Sequence, residues 1–369
     1  VIELMNLDVS SESNHFLATR KKPTFPISEN LRAHLRNYGR EVELPVCYKE
    51  LAGFSESVPL YDNKGEDTLW ETVIYPMDEW QVLSQSLTKI YAILKAAGDL
   101  ASMDHLYADR VDYCTFGNTK PFRIRIVNSM NENADYYYIK RADASRVYGL
   151  ELEHLLSPKR IFHLTHNETL VEEHIVGIPG DVFIEKWMRS RTLNPVRVAK
   201  ELVKFNERCF TRLLGDMRPY NFVIDITPDF EGTQIHIRAM DFDQQSYCGR
   251  KNFYLPQFFK ENNPLVEFCL KHLNRTTAYQ YQREERALIQ KRTTLGRVRL
   301  DDLLNCMTLD TIAPKEKIYS LRMELAEHHK HKDFLKCEHM GEIVRESLNL
   351  VNANKGYTSI GLFHPSQQS

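Results

Sequence analysis

Two short segments concentrate the residue types that hold cations and move protons. In Asp216-Met-Arg-Pro-Tyr-Asn221 an acid and an amide stand five residues apart, and Asp241-Phe-Asp243 begins twenty-five residues after Asp216. Carboxylate and amide oxygens are hard donors of the kind Mg²⁺ prefers, with phosphates and waters completing its shell. Asn221, Asp241 and Asp243 can fill that role, and Asp216 is then left as a base or orienting carboxylate for an incoming hydroxyl.

Such an arrangement needs elements that bring the two segments together. Asn194-Pro195 reads as an N-cap followed by proline at the first helical position. Val198, Leu202, Phe205 and Cys209 continue on one helical face, so a helix is predicted over 195–213. Strands are predicted over 222–226 and 235–240 around the polar turn 227–232, a hairpin that returns Asp241 to the edge where Asp216 and Asn221 lie. Upstream, three β-rich runs cover 110–116, 122–127 and 136–140, the second alternating apolar with charged residues. A helix over 145–156 and strands near 160–164 and 169–176 complete a unit of about 108–176. Before it, Asp78 and Gln81 form a capping box ahead of an amphipathic helix over 79–97, whose stripe the following sheet would cover. Residues 1–75 read as polar and irregular, and 257–350 as helical.

The ordered set resembles the protein-kinase-like superfamily, closest to its aminoglycoside- and choline-phosphotransferase-like branches. The carrying residues are Leu214-Gly-Asp216 with Asn221, Asp241-Phe-Asp243, and Lys140 at the end of the third predicted strand. The resemblance covers roughly 108–245 and implies an α+β, two-lobed kinase-like fold with a small antiparallel-sheet N-lobe and a mostly helical C-lobe. It implies an N-terminal appendage over 1–107, an N-lobe over 108–176, a helical C-lobe over 177–350 and a tail over 351–369. It implies ATP and Mg²⁺ as cofactors, with Asp216 catalytic, Asn221 and Asp241 as metal ligands, and Asp243 an auxiliary ligand or a hairpin-end carboxylate. Lys140 would anchor the α/β-phosphates and pair with Glu151 or Glu153, Glu151 being preferred. Leu170–Gly180 resembles the fifth strand and hinge, where adenine would meet the backbone around Glu173 and Ile175. Arg218 would contact the transferred phosphate or pair with Asp243. The phosphate-covering hairpin holds one glycine, Gly117, with Thr119 or backbone amides as substitutes, and Leu214 stands where the family has His.

The expected activity is phosphoryl transfer to a hydroxyl of a small molecule or protein. The alternatives are a pseudokinase-type binding module, favoured by the single glycine and Leu214, and a kinase-fold nucleotidyltransferase.

Composition narrows the field around this reading. The 369 residues suggest about two domains, and 42% apolar with 27% charged residues is a globular balance. A net charge of −2 argues against nucleic acid as the main partner. Seven cysteines without a CxxC suit a reducing compartment. No apolar run of about 18 residues and no apolar core near the start point to a cytoplasmic protein without a membrane span. The cluster His328, His329, His331, Cys337 and His339 matches no zinc-finger spacing and reads as a solvated helical face. The basic run 283–299 is interrupted by Glu284 and Glu285 and is not read as a nucleic-acid patch.

Overall fold

A computed structural model describes residues 22–62, 65–96, 98–99, 103–115, 119–190, 193–229, 232–353, 357–359 and 361–362. The chain divides into two compact units: Pro26–Asp143 with Ile161–His174 form one, and residues 22–25, Ala144–Arg160 and the chain from Ile175 onward form the other. The sheet unit therefore starts far earlier than 108, and the helix after the lysine-bearing strand groups with the helical unit. Gly117 and the tail 365–369 lie outside the described residues.

The sheet unit holds helices α1 (Glu29–Asn37), α2 (Tyr48–Leu51) and α3 (Met77–Ala96) and strands β1 (Glu56–Tyr61), β2 (Asp67–Ile74), β3 (Leu106–Cys114), β4 (Phe122–Asn128), β5 (Ala134–Arg141), β6 (His163–His166) and β7 (Thr169–Glu173). The seven strands form one antiparallel sheet in the order β1-β2-β3-β4-β5-β7-β6. Alternation explains it: Phe122, Ile124 and Ile126 of β4 and Tyr137 and Ile139 of β5 are buried on one face. On that face α3 lays Leu87, Ile90, Tyr91 and Leu94, each worth roughly 1.5–3 kcal/mol of burial for a large apolar side chain. The Tyr137 hydroxyl donates to the Leu87 carbonyl at 2.8 Å, which fixes helix to sheet. Helix α3 begins at Met77, so Asp78 lies in its first turn, where a negative charge favours the helix dipole, rather than at the cap. On the other face Arg123 stacks over Trp70 and Tyr136, and the buried Asp112 takes Arg110 and Arg123.

The helical unit opens with α4 (Ala144–Leu156), almost every residue of which is buried. After β8 (Ile178–Pro179) comes α5 (Pro195–Arg212), capped by the Asn194 side chain, which accepts from the Val196 and Arg197 amides. Then follow the hairpin β9 (Phe222–Asp229) and β10 (Gly232–Ala239), longer at its tip than predicted, and helices α6 (Asn263–His272), α7 (Arg275–Leu295), α8 (Arg297–Leu309), α9 (Lys315–His329) and α10 (Met340–Ala353). Strands β8, β9 and β10 form a small antiparallel sheet. Among the described residues no helix is long and apolar enough to cross a membrane.

Candidate functional site

The loop after α5 is built on unusual backbone. Leu213 and Asp216 both take left-handed φ values, 58° and 59°, a conformation that costs an L side chain of order 1–3 kcal/mol and gathers at functional sites. Neighbouring loops hold it in place. The Gly215 amide donates to the Gln244 carbonyl at 3.3 Å, the Ser246 amide to Leu213 at 2.8 Å, and the Asp216 amide to Phe253 at 3.3 Å. The Gln245 side chain donates to the Arg212 carbonyl at 2.6 Å. A Cβ at residue 215 would stand 2.6 Å from the Phe253 ring, so any other residue would force that ring to move.

This loop carries three of the predicted residues. One carboxylate oxygen of Asp216 accepts from Arg218 Nε at 2.9 Å, and Arg218 reaches on to Glu261 at 2.9 Å. Burial pushes the Asp216 carboxyl up to about 6; Arg218 opposes that, while Asp241 and Glu261 add to it. Asn221 donates its Nδ2 to the Asp216 carbonyl at 2.7 Å. The Met240 amide donates to the Asn221 carbonyl at 3.0 Å and ties the loop to the end of β10.

Asp241 and Asp243 meet a residue that sequence reasoning missed. Arg146, in the first turn of α4 and 1% exposed, donates from Nη1 to Asp241 Oδ1 at 2.8 Å and Asp243 Oδ1 at 2.7 Å. A charge buried in this way demands a partner, but the sequence shows it only as one of several helix charges beside Glu151 and Glu153. Arg218 therefore does not pair with Asp243; it goes to Asp216 and Glu261.

The expected partners of Lys140 are engaged elsewhere. Both Glu151 oxygens are held by Arg299, at 2.7–3.1 Å, and Glu153 is paired with Arg212. The Lys140 ammonium is 2.8 Å from Glu172 on β7. Register is the reason: Lys140 faces Leu170 and Tyr138 faces Glu172, so Glu172 is the diagonal neighbour on the same face of the sheet. Glu173 accepts from the Phe162 amide at 2.9 Å and lies 3.5 Å from Lys95; Ile175 is buried, and Thr119 is half-buried in the β3–β4 turn.

Two members of the cluster, His329 and Cys337, are buried rather than on a solvated face, while His328, His331 and His339 stay partly exposed. His329 is buried against Phe334 and Phe210, its Nδ1 accepts from the Thr358 amide at 3.1 Å, and burial lowers its pKa to about 3. His331 bridges Glu346 at 2.7 Å and Asp333 at 3.3 Å. In the basic run, Arg286, Arg292 and Arg299 go to Glu207, Glu285 and Glu151.

No protein-family model matches this chain, and no curated protein matches it.

Proposed function

We propose that the chain is an ATP- and Mg²⁺-dependent phosphotransferase acting on a hydroxyl of a small molecule or protein. The observation that carries this is the tie between the loop and the hairpin end: Asn221 donates to the Asp216 carbonyl, and its own carbonyl accepts from the Met240 amide, next to Asp241. The donor set fits the ion: Asn221 Oδ1 and the Asp241 and Asp243 carboxylates are all oxygens, and Mg²⁺ takes one or two carboxylates plus substrate phosphates. These three residues would hold Mg²⁺, which when bound neutralises charge on the transferred phosphate. Asp216, ionised above about pH 6, orients the acceptor hydroxyl and accepts its proton. In the sheet unit the Lys140 ammonium is held by Glu172. Arg218 keeps Asp216 turned in one direction.

A second reading, a nucleotide- or partner-binding module without catalysis, is favoured by a specific observation. Guanidinium groups already engage both Asp216 and the Asp241–Asp243 pair. Calorimetric titration of ATP with Mg²⁺ and with excess chelator separates the two. The phosphotransferase reading expects Mg²⁺-dependent binding, lowered about ten- to hundredfold in Asp241→Asn, as loss of a charge-assisted contact of about 1.5–3 kcal/mol requires. Equal binding in chelator would sink it. Transfer of AMP instead of phosphate to the acceptor would mark a nucleotidyltransferase.

A further inference from the structure

We propose that Arg146 is a built-in counter-cation of the metal motif, so that Asp241 and Asp243 take a divalent ion only together with a nucleotide polyphosphate. This rests on the phosphotransferase reading and adds how its metal is admitted.

The clamp is permanent by construction. A guanidinium does not lose its proton in a protein, so the charge cannot be switched off. The Arg146 side chain is only 2% exposed, whereas Asp241 and Asp243 are 34% and 17% exposed. Solvent and ions reach the carboxylates without reaching the arginine. The Asp243 amide also donates to Asp241 Oδ1, at 2.9 Å, so that oxygen already has two donors. Helix α4 cannot slide to release the contact: Ser145 Oγ donates to the Gln245 carbonyl at 2.7 Å. A Cβ on Gly149 would stand 3.0 Å from Phe242 Cβ, so the helix backbone lies against the turn between the two acids.

The consequence is a charge balance. Two carboxylates beside one fixed cation offer a divalent ion less negative charge than the pair alone would, and a like-charge neighbour at short range. Mg²⁺ sheds water reluctantly and relies on phosphate oxygens when protein carboxylates are few. A polyphosphate brings both the missing oxygens and the missing negative charge. Arg146 is in these terms a positioning residue: it sets the rotamers of two ligands and the charge threshold for filling them.

The probe is Mn²⁺, which takes the same oxygen ligands and is counted by electron paramagnetic resonance. It is titrated into the full chain alone and with a non-hydrolysable ATP analogue. Wild type is expected to bind Mn²⁺ at least tenfold more tightly with the analogue than without it. Arg146→Gln is expected to bind Mn²⁺ alone at least tenfold more tightly than wild type, and Arg146→Lys, which keeps the charge, to follow wild type. Wild type binding Mn²⁺ alone as tightly as with the analogue overturns the proposal, as does a folded Arg146→Gln with no gain. If Arg146→Gln fails to fold, the two wild-type titrations decide. Analogue binding that ignores metal altogether sinks the phosphotransferase reading; metal-dependent analogue binding beside tight uptake of Mn²⁺ alone sinks only the role of Arg146.

Discussion

Two charge clusters in the helical unit are built from the same residue types to different ends. In the first, Arg208 pairs with Glu201 at 2.7 Å and Glu285 at 3.6 Å, Arg212 with Glu153, and Arg286 with Glu207 at 3.1 Å, all of them nearly or fully buried. In the second, Asp216, Asp241, Asp243 and Glu261 meet Arg146 and Arg218, and every carboxylate keeps some exposure. Closed, cross-matched ion pairs fix helices against one another and leave nothing for a ligand to add. The second cluster leaves its carboxylates partly open, and burial pushes the Asp216 carboxyl up, with Asp241 and Glu261 adding to the effect.

The contrast can be broken most sharply at Asp216. Asp216→Asn is expected to lower phosphoryl transfer by about 10²–10⁴-fold, the worth of a positioned acid–base group, with the melting temperature maintained. A melting curve and a turnover assay on one preparation check it; lost stability with unchanged specific activity would make Asp216 a turn former. The closed cluster should answer in the opposite way. Arg208→Ala strands buried carboxylates and is expected to cost about 3–5 kcal/mol in denaturant unfolding, with the specific activity of the folded fraction unchanged.

Acidity sharpens the same comparison. Turnover is expected to fall about tenfold per pH unit below the Asp216 value of about 6 and to level above it. The stability effect has the other sign. The folded pKa is raised, so this carboxyl contributes stability that is fully present below its unfolded value of about 3.9 and lost as pH rises through about 6. Asp216→Asn should lack that loss in pH-dependent melting. His329 gives the smallest effect, and the reverse one. Its pKa is lowered to about 3, so its contribution is present above the unfolded value of about 6.5 and lost as pH falls toward 3. His329→Gln, which keeps an acceptor for the Thr358 amide, should cost about 1 kcal/mol at neutral pH and flatten the acid limb.

Local signals carried much of this architecture. Asn194-Pro195 marked the start of α5, the alternation in 122–127 marked β4, and the short spacing of Asp216 and Asn221 matches a loop in which Asn221 donates to the Asp216 carbonyl. Where partners come from non-local register, the sequence is silent. Lys140 finds Glu172 through a strand pairing that no spacing along the chain encodes. Strands β1 and β2 were missed because β1 is an edge strand, almost wholly exposed and containing Pro59, so neither strand has the buried alternation that identifies β4. Arg146 was hidden among ordinary helix charges, since only the burial of its whole helix makes its charge unusual.

The passage of the chain between its two units, at Phe25/Pro26, Asp143/Ala144, Arg160/Ile161 and His174/Ile175, has a consequence for how the protein is made. Helix α4 leaves the ribosome ahead of Arg212, Asp241, Asp243 and Arg299, and so ahead of the residues that pair with Arg146, Glu151 and Glu153. At ordinary elongation rates of about 5–20 residues per second, Arg146 waits on the order of ten seconds for the two aspartates. For that interval a helix that is greasy on almost every side, and carries three unmatched charges, sits between two finished pieces of the sheet. Vectorial synthesis thus leaves residues 144–156 unburied until the later partners are made. A fragment beginning at 177 would reach the solvent without the helix around which the later helices are arranged.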